Sequence, residues 1–75
     1  VFESIVKIKE IKIIKKEHII LFVEQNDIKV KCIGFFMKDS FKNIKKNSII
    51  KIFYNIQIEP LNNSFHFVIK NFLEI

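Results

Sequence analysis

The side chains of this 75-residue chain that most often do chemistry are few: His18, His66, Cys32, Asp27 and Asp39. A metal site would need spacings such as CxxC or HxxxH, and neither histidine nor the cysteine has such a neighbour. General acid–base work needs carboxyls at a defined separation. Here Asp27 belongs to a turn-like Asn-Asp pair, Asp39 opens a polar stretch, and the glutamates are scattered. A single glycine, Gly34, excludes the usual phosphate loop. Cys32, in an alternating apolar run, reads as a small buried hydrophobe rather than a nucleophile. The chain is therefore not expected to be an enzyme by itself.

Cations and aromatic rings do form a pattern. A groove for single-stranded nucleic acid needs lysines along the backbone path and flat side chains on which bases stack. Lys29, Lys31, Phe22 and Phe36 offer both on the outer face of one hairpin. Lys15, Lys16, Asn62 and Asn63 fall in loops expected at one end of the fold. His18, at the mouth of the first loop, is in reach of a phosphate, although an isolated histidine at a strand end is ordinarily structural. All thirteen basic residues are lysine, and with eight acids the net charge is +5. This balance attracts nucleic acid or an anionic surface. Lysine lacks the planar fork of arginine, so base-specific reading is not favoured.

The elements that must position these residues follow from apolar spacing. In Lys16–Met37, a two-residue Asn26-Asp27 turn sets Val23 against Val30 and Leu21 against Cys32 on one side. It sets Glu24 against Lys29, Phe22 against Lys31 and Ile20 against Ile33 on the other. A one-residue slip would exchange the apolar row for the charged one. Upstream, Val6 and Ile8 are out of phase with Ile11 and Ile13, which predicts a β-bulge near Lys9-Glu10 that bends one long strand between two sheets. Lys15-Lys16-Glu17 connects it to the hairpin. Gly34 marks a bend or a close approach of backbone. A short helix is expected over Met37–Asn47, with Asp39 or Ser40 at its start and Phe41 and Ile44 on one face. Ser48–Glu59 alternates as a strand with Ile50, Ile52, Tyr54, Ile56 and Ile58 inward. Pro60 and the Asn62-Asn63 pair break it. A last strand runs from Phe65 to about Phe72, with Phe65, Phe67 and Ile69 inward and His66 and Lys70 outward.

Five strands with a helix between the third and fourth is the chain order of the OB-fold, an all-β Greek-key barrel. An SH3-like barrel is the alternative, disfavoured by the bent first strand and the helix position. The chain is one domain over residues 1–75, and its opening at Val1 directly in a strand suggests a fragment of a larger multidomain enzyme. The longest apolar run, Ile19–Val23, is too short to span a bilayer, so no membrane partner is expected. A lone cysteine suits a reducing, cytoplasmic setting.

The hairpin and the last strands resemble the OB domain of RecJ, the bacterial single-strand-specific exonuclease of the DHH superfamily. His18-Ile19 opens the second strand as the family's His-Leu does. Cys32-Ile33-Gly34-Phe35-Phe36-Met37 is similar to its small-Ile-small-Phe-x-Met block. Ile56–Asn63 and Phe65–Asn71 resemble its closing hairpin, with Pro60 and Leu61 replacing a polar and usually an aromatic residue, and Asn63 replacing the turn glycine. The resemblance implies a non-catalytic module that grips and orients single-stranded DNA for a 5′–3′ exonuclease. The metal-binding DHH and DHHA1 domains, using Mn or Mg, would then lie outside this chain, and no cofactor is expected within it. A second reading stays open: a docking module that packs on the parent enzyme or on a replication or repair protein through Ile20, Phe22 and Ile33.

Overall fold

The computed structural model describes residues 1–75. Its elements are β1 (Phe2–Ile14), β2 (His18–Gln25), β3 (Ile28–Gly34), β4 (Ile49–Glu59) and β5 (Ser64–Glu74). They close into a barrel in the order β1-β2-β3-β5-β4. β1 is long because it serves two partners. Its first half pairs with β4 from Phe2↔Tyr54 to Lys7↔Ile49, and its second half pairs with β2 out to Ile14↔His18. The register shifts between Ile8 and Glu10, where the phase change predicted a bulge. That extra residue turns the strand from one side of the barrel to the other.

The β2–β3 hairpin has the predicted register, with Leu21↔Cys32, Phe22↔Lys31 and Val23↔Val30 among its pairs. Asn26 and Asp27 both take positive φ, 51° and 66°. Two left-handed residues in a two-residue loop match the twist of the flanking strands. Leu21, Val23 and Cys32 are buried with Val6, Ile8, Ile19, Ile50 and Ile52, which fill the interior. Tyr54 joins them, stacked on Phe67 at 4.0 Å, with its hydroxyl 2.8 Å from Ser4 Oγ. This hydrogen bond lets a phenol sit at the core's edge without an unsatisfied polar atom.

Three sequence expectations need correction. The segment expected as a helix over Met37–Asn47 is instead a succession of turns. Its bonds are isolated, with Phe41 N–H reaching Lys38 and Met37 C=O, Lys42 N–H reaching Asp39 C=O and Ile44 N–H reaching Phe41 C=O. Two or three helical turns are marginal without packing on several faces. Here only Phe41 and Ile44 are buried, and their three-residue spacing is met equally by turns. Both ends are tied to the barrel, by Lys38 N–H to Glu17 C=O and by Asn47 N–H to Ile8 C=O at 2.7 Å.

The second correction concerns the inward rows. Ile56, Ile58 and Phe65 keep the predicted parity but are exposed, because β1 stops opposite Tyr54 and β4 and β5 then continue past the β3–β5 seam as a two-stranded tongue, from Gln57↔His66 to Glu59↔Ser64. Parity says which side a residue faces, not whether anything lies there. Thirdly, His66 keeps the predicted parity, sharing the Gln57 side of the ladder, but is buried rather than free in solvent, with Nδ1 3.6 Å from Glu59 Oε1 on that same side.

Candidate nucleic-acid interface

The strand register defines the outer side of the β2–β3 sheet. Ile20 and Phe22 stand on β2, Lys29, Lys31 and Ile33 on β3, and Glu10 and Lys12 on β1 beside them. Phe22 is half-buried and Lys31 is exposed opposite it. Lys12 Nζ lies 5.6 Å from the centre of the Phe22 ring. A cation over an aromatic face is held by the ring quadrupole, so Phe22 is a platform bordered by two lysines. Lys12 also approaches Glu10 at 3.7 Å, an exposed pair of little energetic weight. Lys12 was missed from the sequence, although the bulge that puts Ile11 inward necessarily turns Lys12 outward.

The other predicted residues do not join this face. Lys15 and Lys16 form the β1–β2 turn at the upper end of the barrel, where Glu17 N–H bonds Ile14 C=O. Phe36, expected on the hairpin's outer face, lies past the end of β3 at that same upper corner, packed against His18. Asn62 and Asn63 form the β4–β5 turn. Because β3 and β5 run parallel, both starting from the lower end, that turn lies at the opposite end from Lys15 and Lys16. The expectation that the two loops share one end is therefore wrong: sequence alternation carries no information about which loop ends meet. Asn63 has φ of 51°, a conformation Asn tolerates in place of glycine.

His18 uses Nδ1 to accept the Phe36 N–H at 2.9 Å, so in the neutral ring the proton resides on Nε2. Cys32 is fully enclosed, and burial pushes its thiol up from 9.0 to about 12. A thiol so far from ionisation is no nucleophile.

A closed five-stranded barrel in this order, with cations and an aromatic ring on the outer side of β2–β3, is an OB-fold. Within that class the RecJ OB domain family model matches residues 1–70, and the chain belongs to that family, whose OB domain is a binding module rather than a catalyst. Among solved structures it is similar to a chain of a replication protein A heterotrimer bound to single-stranded DNA, with a TM-score of 0.81 and 8% identity. The match covers 97% of this chain and 55% of that one, so this chain spans about half the length of its neighbour. Identity that low shows a shared fold alone. No curated protein matches the sequence. No helix is long and apolar enough to cross a membrane.

Proposed function

We propose that this chain binds single-stranded DNA across the outer side of β2–β3 and so grips and orients it for a RecJ-like 5′–3′ exonuclease. The catalytic DHH and DHHA1 domains, with their Mn or Mg, would lie elsewhere in a cytoplasmic parent enzyme. The observation that carries this reading is the Phe22 ring between Lys12 and Lys31 on an open barrel face. Lysine point charges neutralise phosphates without reading bases, and a ring stacks on any base, so the grip is sequence-tolerant. Lys29, Lys31 and Lys12 would track phosphates on the face. Lys15 and Lys16 at the upper end, and Asn62 and Asn63 at the lower, would bound the path.

The test is a fluorescence-anisotropy titration of the chain with labelled single-stranded and duplex DNA over a range of salt. Neutralising roughly three to six phosphates gives a slope of log affinity on log salt of about −2 to −4. The Lys29→Glu, Lys31→Glu double variant should flatten that slope by at least about 1.4. An unchanged slope would remove this face from the interface.

A docking module without direct DNA contact is the second reading, supported by the apolar side of the β4–β5 tongue. There Ile58 and Phe65 pair across the strands while 70% and 53% exposed. Contiguous exposed apolar surface of this kind usually meets another protein. Absence of oligonucleotide binding in the same titration would favour it.

A further inference from the structure

We infer that His18 and Phe36 build a second base-stacking platform at the upper corner, with His18 as the positioning residue. This rests on the reading that the chain binds single-stranded DNA. Seven non-glycine residues have positive φ. Asn26, Asp27, Asn47 and Asn63 are residue types that take this conformation readily. The other three, Lys15, Lys16 and Phe36, are types that avoid it, and they gather at this one corner. Outliers of this sort persist where surrounding structure over-determines them, and they concentrate at ligand sites.

The over-determination is visible. Past the last β2–β3 pair, Ile19↔Gly34, the Phe36 N–H bonds His18 Nδ1 at 2.9 Å and the Lys38 N–H bonds Glu17 C=O at 3.2 Å. The ladder is thus prolonged by a side chain and then by a loop carbonyl. The His18 ring meets Phe36 edge to face, with centroids 4.6 Å apart and planes at 78°. Phe36 nonetheless remains 74% exposed. A ring held in an unfavourable backbone conformation and still turned to solvent contributes little to the core.

Beside it is a recess of about 260 Å³ lined by Lys16, Glu17, Phe36, Lys38 and Asp39. Its two lysines and two acids leave it without net charge, so it has no electrostatic preference for a phosphate, while its donors and acceptors suit the polar edges of an uncharged nucleobase. A base stacked on Phe36 satisfies both features. His18, Ile20 and Phe22 alternate along the outer side of β2, so His18 and Phe22 are about 13 Å apart along the strand. Phe36 packs on His18, so the Phe36 and Phe22 rings take different bases of one DNA strand.

The experiment uses the intact chain, a labelled oligothymidylate of about ten nucleotides, and thermal denaturation alongside. Phe36→Gly should weaken binding about tenfold, while Tm stays level or rises because glycine relieves the left-handed residue. His18→Leu, which removes the acceptor, should weaken binding similarly. His18→Asn, whose side-chain oxygen can replace Nδ1, should recover most of it. Parent-like binding by Phe36→Gly, a drop of several degrees in its Tm, or equal behaviour of the Leu and Asn variants would overturn the platform. If Lys29→Glu, Lys31→Glu alters binding and Phe36→Gly does not, the corner alone fails. A parent chain that binds no single strand overturns both readings.

Discussion

At the scale of single residues, Gly34 shows how one atom sets the packing. Its φ is not positive, so conformational freedom does not explain it. A Cβ there would lie 2.9 Å from Ile19 Cγ1 and 3.0 Å from Met37 Sδ. The glycine is required by close approach, one of the two roles the sequence offered for it. Met37 is flexible, but Ile19 is fully buried and cannot withdraw without disturbing the interior. Gly34→Ala should therefore lower stability by about 1–3 kcal/mol, the usual cost of overpacking, as measured by urea denaturation. A neutral result would mean that the β2–β3 end is loosely packed. The candidate binding residues divide at this scale too. Phe22 was legible because its parity followed from the hairpin. The His18–Phe36 contact was not, since it joins a strand start to the second residue past a strand end by a backbone-to-side-chain bond that alternation cannot express.

At the scale of elements, the β2–β3 hairpin is the best-specified piece of the chain. Its register follows from apolar alternation together with a two-residue turn, and both constraints agree. The turn itself is not optimal, since Asp27 occupies a left-handed position that glycine takes without steric cost. Asp27→Gly should stabilise the fold by about 0.5–1 kcal/mol in the same denaturation assay. Destabilisation would show that the Asp27 side chain has a further role in the turn. The 35–48 connection is the converse case. Its sequence has a cap, an apolar pair and terminal lysines, all the local signs of a helix. The bonds at Glu17 and Ile8 fix its two ends to the barrel, and a chain that must span fixed anchors while burying only Phe41 and Ile44 satisfies both with turns. The β4–β5 hairpin was also read with correct parity, but not as a tongue leaving the barrel.

At the scale of the whole molecule, closure depends on a short seam. β3 and β5 pair only through Cys32↔Phe67 and Ile33↔Val68, so Cys32 lies where the barrel is sealed. Its thiol should resist alkylation by iodoacetamide in the native state and react at the rate of global opening, as measured by mass spectrometry over time. Native-state alkylation faster than unfolding would indicate that the seam opens locally. The raised thiol pKa adds a pH dependence. Between pH 9.0 and about 12 the unfolded chain loses this proton and the folded chain keeps it. Stability should thus fall in that window by up to about 1.4 kcal/mol per pH unit beyond the slope of a Cys32→Ala variant.

The amino-acid sequence alone determined what alternation and local turn chemistry encode: five strands, the β1 bulge, the β2–β3 register, and the side of that hairpin on which Phe22, Lys29 and Lys31 stand. These depend on neighbours a few residues apart, where a slip would expose a whole apolar row. Only the tertiary structure decided that Lys15-Lys16 and Asn62-Asn63 lie at opposite ends, that Lys12 covers Phe22, that the helix gives way to turns, and that His18 holds Phe36 in place. Each of those depends on the path by which the barrel closes, which brings together residues whose separation along the chain carries no periodic signal.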